Sequence, residues 1–91
     1  MKIATIKSGG SESAAVVIPR GYVRLDVFNE EKRTEWPTVL DELVSSGEAE
    51  RLNRWYLAGG KAVLENISRT FVVPQEEAEV IGEIFKTEDE E

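Results

Sequence analysis

The sequence predicts an α+β domain, with a small antiparallel β-sheet of three to four strands covered by a helical hairpin. Two observations carry this prediction. Residues 2–28 contain short β-branched and alternating apolar runs that are separated by turn-forming glycine and proline. Residues 34–65 instead place apolar residues at helical spacing, and glycines interrupt the pattern where helices would end.

Three strands are predicted in the first third of the chain. The first, Lys2–Lys7, places Ala4 and Ile6 on one face. The second, Glu12–Ile18, is apolar over most of its length, which indicates burial on both faces. The third, Tyr22–Phe28, alternates apolar and charged side chains, as a strand with one buried face does. Together they form an antiparallel meander.

The connections between these strands have the composition of tight turns. Ser8-Gly9-Gly10-Ser11 contains two residues that readily take positive φ, and Pro19-Arg20-Gly21 is typical of a hairpin connection. The first of these can also be compared with a phosphate-binding loop. It lacks the Gly-Lys-Ser/Thr ending of a P-loop and precedes a strand instead of a helix, so a hairpin turn is favoured.

A first helix is predicted to begin around Trp36-Pro37-Thr38 and to end at Gly47. Pro37 suits the first helical turn, where a missing N–H has no cost. Either Trp36 or Thr38 can be the N-terminal cap, and the sequence leaves this open. Gly47 suits the left-handed backbone conformation that ends many helices. The inward face is predicted to hold Leu40, Leu43 and Val44.

A second helix is predicted from Glu48 to about Ala58. Gly59-Gly60 ends it, and Lys61–Asn66 can add one or two further turns. The two helices form the predicted helical hairpin. The apolar stripe of the second helix is Ala49, Leu52, Trp55 and Tyr56.

The C-terminal third of the chain is less determined. Arg69–Val73 is β-branched and aromatic and can add a strand to the sheet. Residues 75–85 can be helix or strand, because their apolar residues fall at helical spacing while Gly82 weakens a helix. Residues 1–85 are therefore predicted to form one domain, and residues 86–91 an acidic, disordered tail. The predicted core is Ile6, Val16, Val23, Leu25, Leu40, Leu43 and Leu52.

Charge and composition limit the possible partners. The net charge is −7, and all of the excess lies in residues 75–91, because acidic and basic residues balance before that point. Such a chain lacks the basic surface that nucleic-acid binding requires. The longest apolar run, Ala14–Ile18, is far shorter than the ~18–20 residues of a membrane span. With no cysteine, a reducing cytoplasm is expected.

The sequence offers no candidate for a catalytic, cofactor-binding or metal-binding residue. It has neither histidine nor cysteine, which removes the commonest general base, nucleophile pairings and transition-metal ligands. Glu77 and Glu79 could in principle hold Mg²⁺ or Ca²⁺. They lack the spacing of a loop that supplies ligands, so a solvated acidic segment is favoured. No catalytic residue, cofactor or metal is therefore expected in this chain.

Three aromatic residues are candidates for an interaction surface: Trp36, Trp55 and Tyr56. Aromatic residues at helical spacing most often belong to the core. Trp55 and Tyr56 are adjacent, however, and cannot both point to the centre of the sheet. At least one is expected at the edge of the domain, where such rings often meet a partner.

Three segments resemble the N-terminal domain of fumarylacetoacetate hydrolase family proteins. They are MKIATIKSGG at the start, EWPTVLDELVSSGE and RWYLAGGKAVLE, and the resemblance spans residues 1–77. The residues that carry it are Trp36, Pro37, Thr38, Arg54, Trp55, Tyr56, Gly59 and Gly60. In the family, a catalytic domain with acidic Mg²⁺ ligands follows. This chain contains none of the positions of that domain.

The resemblance implies a non-catalytic accessory domain. The family's enzymes hydrolyse, decarboxylate or isomerise 2-oxo acids with Mg²⁺, and this domain would dock onto a catalytic domain or a second copy through its aromatic edge. The alternative is a free-standing small acidic protein-interaction module. A catalytic domain encoded in frame downstream would favour the first, and a natural stop after Glu91 the second.

Overall fold

The computed structural model describes residues 1–87, which form a four-stranded antiparallel sheet with helices, and the α+β prediction is confirmed. The strand order is β3-β2-β1-β4, so β1 is central and β4 lies at an edge. The strands are β1 (Lys2–Ser8), β2 (Ser11–Ile18), β3 (Gly21–Arg24) and β4 (Glu79–Lys86). The helices are α1 (Leu25–Lys32), α2 (Leu40–Ser45), α3 (Glu48–Trp55) and α4 (Lys61–Glu65).

The β1–β2 connection is a two-residue hairpin turn, as predicted. Ser8 pairs with Ser11, and both Gly9 and Gly10 have positive φ, 58° and 84°. Positive φ at both central positions matches the right-handed twist of the flanking strands. The guanidinium of Arg24 closes the turn from the side by donating to Ser8 and Ser11, and it also pairs with Asp26 at 2.7 Å. Polar contacts inside the protein therefore hold this loop in place.

The prediction of a third strand over Tyr22–Phe28 is wrong in its second half. β3 ends at Arg24, and Leu25 begins α1. Leu25 and Phe28, three residues apart, are both buried in the main core. A helix brings these two side chains to one face, whereas a continued strand would direct them to opposite faces. Packing of α1 against β2 and β3 therefore overrides the alternating pattern.

The helix predicted from Trp36 begins later, at Leu40. Val39 is its N-cap, and no side chain caps it, so neither Trp36 nor Thr38 has the expected role. Residues 34–37 have no regular structure. The carbonyl of Thr38 instead accepts a 2.7 Å hydrogen bond from Ala14 N–H, beyond the point where β3 has ended. This bond holds the segment against β2 and competes with an earlier helix start.

Helices α2 and α3 are joined through Gly47, whose φ of 81° confirms the predicted left-handed residue. They pack against each other and share one buried cluster with the sheet. Their arrangement as a helical hairpin stays a prediction. α3 ends at Trp55, and a π-helical turn (Tyr56–Gly60) connects it to α4, with Gly59 at a φ of 128°.

The sheet is buried on both faces, as the apolar run in β2 predicted. The face toward the helices holds the main core, whose largest fully buried side chains include Ile3, Val16, Val23, Leu25, Leu43, Leu52 and Leu64. The opposite face holds a smaller cluster of Ala4, Ile6 and Ala15. Ile6 is thus buried, but on the face away from the helices. Leu40 is only half-buried, and Val44 is 47% exposed, so two of the residues assigned to the inward face of α2 lie at its margin.

The segment after α4 differs from the predicted strand at 69–73. Arg69–Phe71 is a short 3₁₀ helix, and only Val73 forms a bridge, to Tyr22 of β3. A second 3₁₀ turn, Gln75–Glu77, leads into β4. Residues 79–86 are therefore a strand, which resolves the choice left open by the sequence.

The two ends of the described chain meet beside β1 and β4. Lys86 is the last residue of β4, and Thr87 N–H donates to the Met1 carbonyl at 3.0 Å. The Met1 ammonium in turn donates to Thr87 Oγ1 at 2.9 Å. The domain thus continues past residue 85. The rest of the predicted acidic tail, residues 88–91, lies outside the described residues.

Candidate interaction site

Asn29 on α1 fixes the backbone around Trp36. Its side-chain oxygen accepts from Trp36 N–H at 3.0 Å and from the Thr34 hydroxyl at 2.8 Å, and its amide donates to the Trp36 carbonyl at 2.7 Å. The indole ring is half-buried against the main core. The Arg51 guanidinium lies 5.5 Å from the ring centroid, a cation–π distance.

Trp55 packs between α1 and the glycine turn after α3. Its ring meets that of Phe28 edge to face, with centroids 5.4 Å apart and planes at 63°. On another side it meets Gly60, where a Cβ atom would lie 2.5 Å from Trp55 Cε3. The second glycine of the pair is thus required by the tryptophan ring, because Gly60 itself has ordinary helical φ and ψ.

We expect Gly60→Ala to destabilise the domain by about 1–3 kcal/mol, although alanine is the better helix former, because the new methyl group overlaps the indole ring. Chemical denaturation with tryptophan fluorescence as the probe measures both the stability loss and the ring displacement. In a Trp55→Ala background, the same substitution should become neutral or stabilising. An equal loss in both backgrounds would assign the effect to the backbone.

The structure brings two of the three aromatic candidates together. Trp36 and Trp55 line one shallow hollow of about 470 Å³ together with Arg51 and Arg54. Tyr56 is half-buried against the main core and is not part of that hollow. All three rings are therefore partly committed to packing, and their use in docking stays a prediction.

A larger groove, which we call the α2–β4 groove, lies between helix α2 and edge strand β4. Its volume is about 910 Å³. Three of its apolar side chains are unusually exposed: Val39 at 52%, Val44 at 47% and Ile84 at 45%. Half-buried Leu40, Ile81 and Phe85 also line it. The groove is therefore a cleft of aliphatic side chains from two distant segments.

The β4 strand bulges where it borders this groove. Ile3 pairs with Phe85 and Thr5 with Ile81, so two residues of β1 span four residues of β4. Residues 82–84 consequently have no assigned partner on β1. Gly82 lies in this bulge with a φ of 74°, and apart from its two chain neighbours no residue has an atom within 4 Å of its Cβ position. Bulges of this kind occur at sheet edges and re-aim neighbouring side chains.

The two edges of the sheet differ. β3 is short, and Tyr22 exchanges two backbone hydrogen bonds with Val73, at 2.9 and 2.8 Å. In the part of the chain that the structure describes, no strand pairs with the outer side of β4. An open strand edge presents unpaired backbone donors and acceptors and is a template for a further strand. The α2–β4 groove and the open edge are adjacent.

Residues 1–87 were also searched for a metal-binding group and for a helix that could span a membrane. No three acidic side chains there group closely enough to hold a metal ion. No helix among these residues is long and apolar enough to cross a membrane. Glu77 ends the 3₁₀ turn before β4, and Glu79 begins the strand. The described surface thus offers apolar contact and strand edges more clearly than reactive groups.

Comparisons with protein-family models, with curated proteins and with solved structures each found no match.

Sequence reasoning did not find the α2–β4 groove. Its apolar residues come from positions 39–44 and 81–85, which no local pattern connects. Val44 lies at i+4 from Leu40, so it was assigned to the inward face. The helix is shorter than predicted, and Leu43 is its one fully buried residue, so no local signal in the sequence marked the exposure of Val44.

Proposed function

We propose that this chain is a non-catalytic, cytoplasmic protein-interaction domain that serves as the accessory domain of a fumarylacetoacetate hydrolase-like enzyme. The exposed α2–β4 groove carries the interaction part of this proposal. The segments around Trp36 and Trp55 that resemble the family's N-terminal domain support the choice of enzyme class. In this proposal the catalytic domain supplies the Mg²⁺ chemistry on 2-oxo acids.

The groove has the properties of a contact surface. Scattered single apolar residues are normal on protein surfaces, whereas contiguous apolar patches mark interaction sites. Val39, Val44 and Ile84 are contiguous here, and each is more than two-fifths exposed. Burying three such side chains removes apolar surface from water, and each Å² removed contributes about 25 cal/mol of favourable free energy. A partner that covers the groove therefore gains affinity without any change in the core.

The aromatic edge predicted from the sequence is the competing contact surface. Trp36, Trp55 and Tyr56 are each half-buried, and packing against Phe28 and Gly60 holds Trp55 in place. Aromatic anchors at interfaces are often preorganised in this way. The two surfaces can be tested separately because no residue is common to the hollow around Trp36 and the α2–β4 groove.

We expect Val44→Glu to weaken binding to a catalytic domain by more than about tenfold, which corresponds to 1.4 kcal/mol. The charge would have to be desolvated against apolar side chains of the groove. The probe is the separately produced catalytic domain of a fumarylacetoacetate hydrolase family protein from the same genome, titrated by calorimetry. Val63→Glu is the matched control, because Val63 is 41% exposed on α4, outside the groove.

Tyr56→Ala tests the aromatic edge in the same titration. If docking uses that edge, Tyr56→Ala weakens binding by more than about tenfold and Val44→Glu leaves it unchanged. If the catalytic domain does not bind the wild-type chain at all, the accessory-domain proposal is wrong. Circular dichroism of each variant checks that the fold is retained.

A further inference from the structure

We propose that the α2–β4 groove binds an extended segment of a partner protein that pairs with β4 as a fifth strand and carries both aliphatic and basic residues. This inference rests on the proposed function, because it specifies what occupies the same groove. The backbone of β4, the apolar floor and the charge around the groove each carry one part of it.

The backbone of β4 favours an extended occupant. β1 uses one side of β4, and the opposite side has no strand partner within residues 1–87. A strand added alongside β4 can satisfy the backbone groups on that open side, and main-chain hydrogen bonds then supply affinity. A helix placed in the groove would leave the open edge unpaired.

The floor of the groove favours aliphatic side chains on one face of that strand. Successive side chains of a strand point to opposite faces, so every second residue of the segment would enter the groove. There they would meet Val39, Val44 and Ile84, which are all exposed and aliphatic. A volume of about 910 Å³ accommodates several side chains of valine or leucine size.

The charge around the groove favours basic residues in the same segment, beside the aliphatic ones. Asp41 and Glu83 line the groove, and Glu79 stands at the start of β4. Lys86 is the one basic residue among those lining residues. All three acidic side chains are solvent-exposed and can therefore reach an incoming lysine or arginine. Opposite charges directly across a strand pair stabilise it, and like charges destabilise it.

The net charge argues against a second copy of this chain as the occupant. Each copy carries a net charge of −7, so long-range repulsion opposes the encounter. A basic segment does not meet this obstacle.

The test uses short synthetic peptides, blocked at both ends, and the full chain. One peptide alternates lysine and valine, a second alternates glutamate and valine, and a third is the lysine–valine peptide with alternate backbone nitrogens methylated on the bonding edge. Binding is followed by amide chemical-shift changes, and hydrogen exchange of residues 82–84 reports strand pairing. The protein variants are Val44→Glu and its matched control Val63→Glu.

The lysine–valine peptide is expected to bind and to slow amide exchange at those of residues 82–84 whose N–H groups face the open edge, because only alternate residues of a strand bond to one neighbour. The methylated peptide, the glutamate–valine peptide and the Val44→Glu variant should each bind at least about tenfold more weakly, while Val63→Glu binds normally. Sedimentation of the free chain should give a monomer.

Three results would overturn the inference. The first is no binding of the lysine–valine peptide at millimolar concentration. The second is equal binding of the methylated peptide with complete loss in high salt, which would reduce the contact to surface charge. The third is a dimer that the peptide dissociates, which would make a second copy the occupant. If a catalytic domain still binds in a Val44-dependent manner while the peptide fails, this inference is wrong and the proposed function stands.

Discussion

Leu43→Ala is expected to lower the free energy of unfolding by about 2–5 kcal/mol. Leu43 is the one fully buried residue of α2, and half-buried Leu40 packs against the same core. The substitution removes buried methyl groups and leaves a cavity that the short helix can fill only by shifting. Domains of this size have a total stability of about 5–15 kcal/mol, so the loss is a large fraction of it.

Urea denaturation followed by circular dichroism measures this effect. Val44→Ala is the matched control, because Val44 is the next residue of the same helix but is 47% exposed. It should cost less than about 0.5 kcal/mol, the usual range for surface positions. A loss below about 1 kcal/mol for Leu43→Ala would mean that α2 does not pack on the sheet as described.

Gly21→Ala is expected to cost more than about 3 kcal/mol, the sum of a strained backbone and an overlap. Gly21 begins β3 with a φ of 144°, a conformation that L-residues with a side chain rarely adopt. A Cβ atom there would also collide with the carbonyl oxygen of Val73. That oxygen accepts the Tyr22 N–H at 2.9 Å, so relieving the collision breaks the bridge that closes the β3 edge.

Gly82→Ala separates the two contributions. Gly82 has a φ of 74°, but its Cβ position has no neighbour within 4 Å, so only backbone strain remains. It should cost about 1–2 kcal/mol. Equal losses at the two glycines, measured by thermal and urea unfolding, would contradict the close approach of Val73 to β3.

The accuracy of the sequence predictions depends on how local the determining interaction is. The β1–β2 turn was predicted correctly because two consecutive glycines with positive φ determine it locally. Residues 25–28 were misassigned because alternation and helical spacing both fit so short a segment. The outcome depended on Phe28, whose burial against Trp55 is a long-range contact.

Residues 79–86 illustrate a second source of ambiguity. Ile81 and Phe85 are four apart, the spacing of a helical face, and the sequence allowed a helix for that reason. In the structure both pair with β1 and lie on the same face of the sheet, because residues four apart share a face in a strand as well as in a helix. This spacing therefore cannot separate the two structures, and Gly82 was the local sign against a helix.

The candidate site was less predictable than the fold. The aromatic residues were predicted to form an edge because adjacent Trp55 and Tyr56 cannot both face the sheet. Two of the three, Trp36 and Trp55, line one hollow. The α2–β4 groove instead arises because a helix at residues 40–45 and a strand at 79–86 are brought together by the tertiary fold. No property of either segment alone marks it as a site.

The position of β1 has a consequence for how the domain is made. β1 pairs early with β2, its neighbour in sequence, but its other partner, β4, follows at the far end of the described chain, and Met1 contacts Thr87 across 86 positions. Closing so long a loop is slow compared with forming a hairpin. During synthesis the central strand therefore waits with one side unpaired until β4 has left the ribosome. Nascent chains are most exposed to aggregation, and to chaperones, in that interval.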